Sequence, residues 1–141
     1  MDDRMSDKTS LDFTTISQRL KALTLPEVDY VVGIATGGIV PAAMVAHQLD
    51  KPLALMRVQH RDEDNTPIYE PPLLSTSPSL PGDALRILLV DDVCVSGGTL
   101  QTAKQALGDR HITTLVMKGQ GDYVLFPEIA ACVNWPWKPP R

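Results

Sequence analysis

The chain has 141 residues, 43% hydrophobic and 21% charged, with a net charge of −4. That length suits one domain with its own core, and the composition is that of a globular protein. The negative balance speaks against a nucleic-acid partner held mainly by phosphate contacts, and no apolar run approaches the ~18 residues of a membrane span.

No secretory leader is visible, and Cys94 and Cys132 share neither a metal nor a redox spacing. A reduced, cytoplasmic protein with no membrane partner is therefore expected.

Residues 1–10 are polar and read as a flexible terminus. From Leu11 the pattern turns helical. Phe13, Ile16, Leu20 and Leu23 share one face, Ser10 or Asp12 offers a cap, and Pro26 stops the run. Residues 28–34, VDYVVGI, form a continuous β-branched run, as a strand covered on both faces should. It ends in Ala35-Thr36-Gly37-Gly38, and a second helix follows with Pro41 in its first turn.

The next strand is expected over 53–58, LALMRV. Residues 59–82 are long, polar and broken by five prolines, which reads as a mobile loop of the lid or binding type. Its acidic run Asp62-Glu63-Asp64 beside His60 reads as solvated rather than metal-binding.

The central stretch is Ile87 to Leu100, ILLVDDVCVSGGTL. A buried strand over 85–91 ends in Asp91 and Asp92. The turn Ser96-Gly97-Gly98-Thr99 opens a helix whose Leu100, Ala103, Ala106 and Leu107 fall at helical spacing. Amides at a helix start are unpaired and attract anions, and glycines let an anion approach the main chain. Ser96 and Thr99 add hydroxyls. Carboxylates beside such a cradle accept hydrogen bonds from vicinal hydroxyls, so the pair suits a sugar phosphate.

Further strands are expected over 112–117 and 122–126. The tail carries Trp135 and Trp137, which suit a core or contact role. The whole reads as an α/β three-layer sandwich with a mainly parallel sheet, in one domain over 11–141. Ligands in such folds bind at strand carboxyl ends, and right-handed crossovers bring both glycine turns to one edge.

The stretch ILLVDDVCVSGGTL resembles the phosphoribosyl pyrophosphate (PRPP) signature of the type I phosphoribosyltransferases. IATGGIVPA resembles their pyrophosphate loop, in the Gly-Gly-x-x-Pro form of the xanthine and related purine transferases. VMKG, GDYV and the closing Pro-Trp resemble the bacterial xanthine–guanine members.

The resemblance implies a pentosyltransferase that moves ribose 5-phosphate from PRPP to a 6-oxopurine or related base and releases pyrophosphate. It implies the 5-phosphate on Val95, Ser96, Gly97, Gly98 and Thr99. Asp91 and Asp92 would be the catalytic pair, holding the ribose hydroxyls and Mg²⁺ directly or through water. The pyrophosphate falls to Ala35, Thr36, Gly37 and Gly38, and the base to Lys118, Cys132 and Val133. The family resemblance also implies a homodimer or higher homo-oligomer.

Three positions depart from the pattern. Val95 stands where 6-oxopurine enzymes carry an aspartate, and valine moves no proton. Thr36 stands where a basic residue often precedes the glycine pair, and Cys132 where an aromatic stacks on the purine. Three readings stay open: a transferase, a regulatory protein that binds PRPP or a nucleotide without turnover, and an unrelated α/β binding domain.

Overall fold

The computed structural model describes residues 9–59, 73–76, 78–94 and 97–138. In chain order the elements are β1 (Thr9–Ser10), α1 (Phe13–Ala22), β2 (Tyr30–Ala35), α2 (Ile39–Leu49), β3 (Leu53–Gln59), β4 (Leu73–Thr76), β5 (Arg86–Cys94), α3 (Gly98–Leu107), β6 (His111–Gly119), β7 (Tyr123–Val124) and β8 (Val133–Asn134).

Six strands form one sheet in the order β4-β3-β2-β5-β6-β7. Only β4 runs antiparallel to its neighbour; the other pairs are parallel. Alternating side chains split each central strand between two cores. Val31, Leu88, Val90, Leu115 and Met117 pack with Ile16 and Leu20 of α1 and Ala42 and Val45 of α2. Val32, Ile34, Met56, Ile87 and Leu89 pack with Leu100, Ala103 and Leu107 of α3. The result is the three-layer α/β sandwich expected.

This order decides where a ligand can sit. The chain leaves β2 for β3 on one side and β5 for β6 on the other. The connections therefore diverge between β2 and β5, opening a crevice at the carboxyl ends of those two strands. Both glycine turns border it.

Several boundaries differ from expectation. The central strand, expected to stop at residue 91, runs to Cys94, because β6 continues beside it and pairs Val93 with Lys118 and Cys94 with Gly119. Aspartates are rare in strands, so the acids looked like the start of a turn; the ladder overrides that preference. The last sheet strand covers only Tyr123–Val124, shorter than the expected 122–126. Within the expected loop over 59–82, Leu73–Thr76 pairs with the end of β3. Of the same expected loop, residues 60–72, with the acidic run, and residue 77 lie outside the described residues.

At the N-terminus, Thr9 and Ser10 pair with Val133 and Asn134 of the tail, while residues 1–8 of the expected flexible terminus lie outside the described residues. Asp12 is the cap of α1, accepting from the Thr15 amide at 2.8 Å. No helix among the described residues is long and apolar enough to cross a membrane.

Candidate active site

Asp91 and Asp92 stand near the carboxyl end of β5, only 8% and 9% exposed. Asp91 Oδ1 accepts from the Asp92 amide at 2.8 Å, and Asp92 Oδ1 accepts from the Val93 amide at 2.7 Å. These bonds fix both carboxylates but leave each a second oxygen. Burial, and then the charge of Asp92, push Asp91 up to about 8, so it is largely protonated at neutral pH. Asp92 Oδ2 lies 2.7 Å from Lys138 Nζ. The acids expected to show openly at a strand end are therefore mostly covered, with Asp92 still reaching the crevice through an ion pair.

The turn after β2 lies directly against this pair. A Cβ on Gly37 would sit 2.3 Å from Asp92 Oδ2, and one on Gly38 would sit 2.6 Å from the carbonyl oxygens of Ile34 and Val90. Both glycines are thus needed for close packing on β5, a demand separate from any ligand. The Gly38 amide donates to the Ile34 carbonyl at 2.8 Å and the Ile39 amide to the Thr36 carbonyl at 3.1 Å. Those two amides are turned inward. Ala35 closes β2, and its peptide bond to Thr36 is cis. Thr36 Oγ1 accepts from Arg57 Nη1 at 3.2 Å, across the β2–β3 register that pairs Ala35 with Arg57.

At the other glycine turn, Gly97 takes φ 84° and precedes α3. That left-handed angle is why a glycine stands there. No described side chain caps the helix, so the amides of Gly98, Thr99 and Leu100 meet no intrahelical partner. Val95 and Ser96 of the expected phosphate cradle lie outside the described residues.

The expected base-reading residues meet through the tail's main chain, since Lys118 bonds the carbonyl of the residue just before Cys132. Lys118 Nζ donates to the carbonyls of Ala130 and Ala131, tying β6 to the tail. Val133 pairs with Thr9 and packs against the core, a structural position. Cys132 is exposed, and its carbonyl accepts from the Thr9 amide at 2.9 Å. Trp135 is buried in the core and stacks on Trp137 with centroids 5.2 Å apart.

Two cations of this region were not singled out from sequence. Arg57 carried a usable signal, a lone charge late in an apolar strand. Lys138 carried none, sitting in a proline-rich stretch with no local pattern.

Magnesium takes hard oxygen ligands and is commonly held by one or two carboxylates plus substrate phosphates. No group of three or more His, Cys, Asp or Glu among the described residues could hold an ion. With Asp91 holding a proton, the pair fits only an ion met through Asp92 whose other ligands are phosphate oxygens and water.

A family model described as "Phosphoribosyl transferase domain" matches residues 16–119. The chain is 28% identical over 117 residues to an orotate phosphoribosyltransferase of Sulfurisphaera tokodaii, covering 81% of this chain but spanning only 55% of that protein's length. It is 26% identical to a xanthine-guanine phosphoribosyltransferase of Chromohalobacter salexigens, covering 96% of this chain and 86% of that one. Among solved structures, a purine phosphoribosyltransferase from Pyrococcus horikoshii superimposes with a TM-score of 0.76 at 25% identity, covering 96% of this chain and 97% of that one. A xanthine-guanine-hypoxanthine phosphoribosyltransferase from Helicobacter pylori shares the fold, with a TM-score of 0.74 at 15% identity over 92% and 93% of the two chains.

Proposed function

We infer the function from one premise: this chain belongs to the phosphoribosyltransferase family. On that premise it is a PRPP-dependent glycosyltransferase that moves ribose 5-phosphate to a 6-oxopurine-type base and releases pyrophosphate. The observation that carries this reading is the contact of the Asp92 carboxylate with Gly37, which sets the two ribose-facing acids against the turn that would hold the diphosphate.

In this mechanism the 5-phosphate rests on the open amides of Gly98 and Thr99 at the start of α3. Asp91 and Asp92 take the ribose hydroxyls. The leaving diphosphate lies along Thr36 and Gly37, with the Arg57 guanidinium beside the Thr36 hydroxyl. As the bond at the anomeric carbon breaks, positive charge builds on the ribose ring. The Asp92 carboxylate stabilises that charge, and a fixed site avoids the cost of reorienting solvent. A bound magnesium ion would offset charge on the diphosphate. Positioning alone supplies roughly 7–11 kcal/mol in favourable cases.

The purine assignment draws on the purine phosphoribosyltransferase of Pyrococcus horikoshii, which matches nearly end to end, 96% of this chain against 97% of that one, at 25% identity and a TM-score of 0.76. Lys118 adds chemistry: an ammonium has three donors, two already on carbonyl oxygens, and the third suits the exocyclic oxygen of a 6-oxopurine. The test is pyrophosphate release from PRPP with Mg²⁺ and a panel of xanthine, guanine, hypoxanthine, adenine and orotate. Turnover with orotate alone would reject the purine reading.

A second reading is favoured by the Lys138–Asp92 ion pair, which offsets the charge that would stabilise the ring. It is a PRPP- or nucleotide-binding regulatory protein without turnover, and binding of PRPP with no product from any base would establish it. Either role suits the cytoplasm, where both free cysteines would stay reduced. Leu53 and Leu55 of β3 are exposed large apolar side chains, consistent with a homodimer through that face. Leu55→Asp is expected to shift a dimer to monomer by light scattering.

A further inference from the structure

We propose that Lys138 is a diphosphate-binding residue delivered by the C-terminal tail, its ammonium bridging Asp92 and the leaving pyrophosphate. The proposal rests on the phosphoribosyl reading above and extends it to a residue outside every motif of the sequence.

Three observations carry it. First, Lys138 Nζ lies 2.7 Å from Asp92 Oδ2, and that same oxygen fills the space next to Gly37. The ammonium therefore stands where the ribose acids meet the pyrophosphate turn. Second, the turn carries Thr36 where a cation would serve, and its Gly38 and Ile39 amides are spent on the chain's own carbonyls. Arg57 meets this turn at Thr36 from β3, so positive charge on the Asp92 side of a diphosphate falls to Lys138.

Third, the tail is anchored while the side chain is half exposed. Trp135 is buried, Trp137 stacks on it at 5.2 Å, and Phe13 lies 6.3 Å from Trp137. The Lys138 amide donates to the Trp135 carbonyl at 3.1 Å. The Lys138 side chain itself is 49% exposed. Its carboxylate partner is only 12% exposed, so the lysine end is the side of the pair open to a ligand. A lysine has three donors, so one can stay on Asp92 while two reach phosphate oxygens.

The experiment is calorimetry on the full chain with two probes, inorganic pyrophosphate in the presence of EDTA and ribose 5-phosphate. Lys138→Gln is expected to weaken pyrophosphate about tenfold, the loss of one charge-assisted contact. Lys138→Arg should restore most of it, and ribose 5-phosphate should bind Lys138→Gln as well as, or better than, wild type. Equal pyrophosphate affinity in wild type and Lys138→Gln overturns the proposal. So does a parallel loss of both probes, which marks a merely structural tail. Wild type that binds ribose 5-phosphate but not pyrophosphate also overturns the proposal; if it binds neither probe, with Mg²⁺ in place of EDTA as well, the phosphoribosyl reading itself fails and takes this role with it.

Discussion

The Asp92 carboxylate fills the space in which a side chain on Gly37 would begin, with Oδ2 2.3 Å from an ideal Cβ there. Protein atoms do not approach so closely, so Gly37→Ala must push the carboxylate or the turn aside. Both candidate subsites then lose geometry at once. PRPP affinity is expected to fall at least about tenfold by calorimetry, with the far-ultraviolet circular dichroism unchanged. Unaltered affinity would show that ligand binding does not use this contact.

Stability should depend on pH through Asp91. Its folded pKa is raised from 3.8 to about 8, first by burial and then by Asp92. Between those values the folded chain holds a proton that the unfolded chain has released. The stabilisation is therefore full below about pH 4 and is lost as pH rises through about 8. Asp91→Asn removes the titration. Its melting temperature should exceed that of wild type at pH 8.5, with the gap closing toward pH 5; parallel curves would contradict the buried, protonated acid.

Arg57 reaches the turn after β2 from the neighbouring strand, through the 3.2 Å bond to Thr36 Oγ1, and on the proposed reading it meets the diphosphate there. Arg57→Gln should raise KM for PRPP about tenfold and leave affinity for ribose 5-phosphate unchanged. Steady-state kinetics and calorimetry read the two arms. An equal loss on both ligands would move Arg57 from the diphosphate to a general structural role.

Lys118 holds the carbonyls of Ala130 and Ala131, and on the proposed reading its remaining donor meets the base. Lys118→Met should loosen the tail, seen as a red shift in emission from Trp135 and Trp137. It should also weaken a 6-oxopurine about tenfold while sparing adenine. If both bases respond alike, Lys118 holds the tail and does not read the base.

What could be learned from residues alone was local. The β-branched runs in β2 and β5, the Asp12 cap, the glycine before α3 and the apolar faces of the helices each depend on neighbours within a few residues. Their patterns led to the layered fold and to two glycine turns at one edge. They also pointed to the two acids, since a charged pair ending an apolar strand is a short-range signal.

The tertiary structure decided which groups meet. Lys138 reaches Asp92, Arg57 reaches Thr36, and Thr9 and Ser10 pair with the tail, all across long stretches of chain. Residue spacing carries no record of such contacts, because they form only when separate elements pack. Burial is likewise a property of the packed chain: β6 running on to Gly119 draws Asp91 and Asp92 into the sheet and, for Asp91, raises the cost of ionisation. Residue type placed two acids at the crevice; neighbouring strands and a distant lysine determined how much charge they present there.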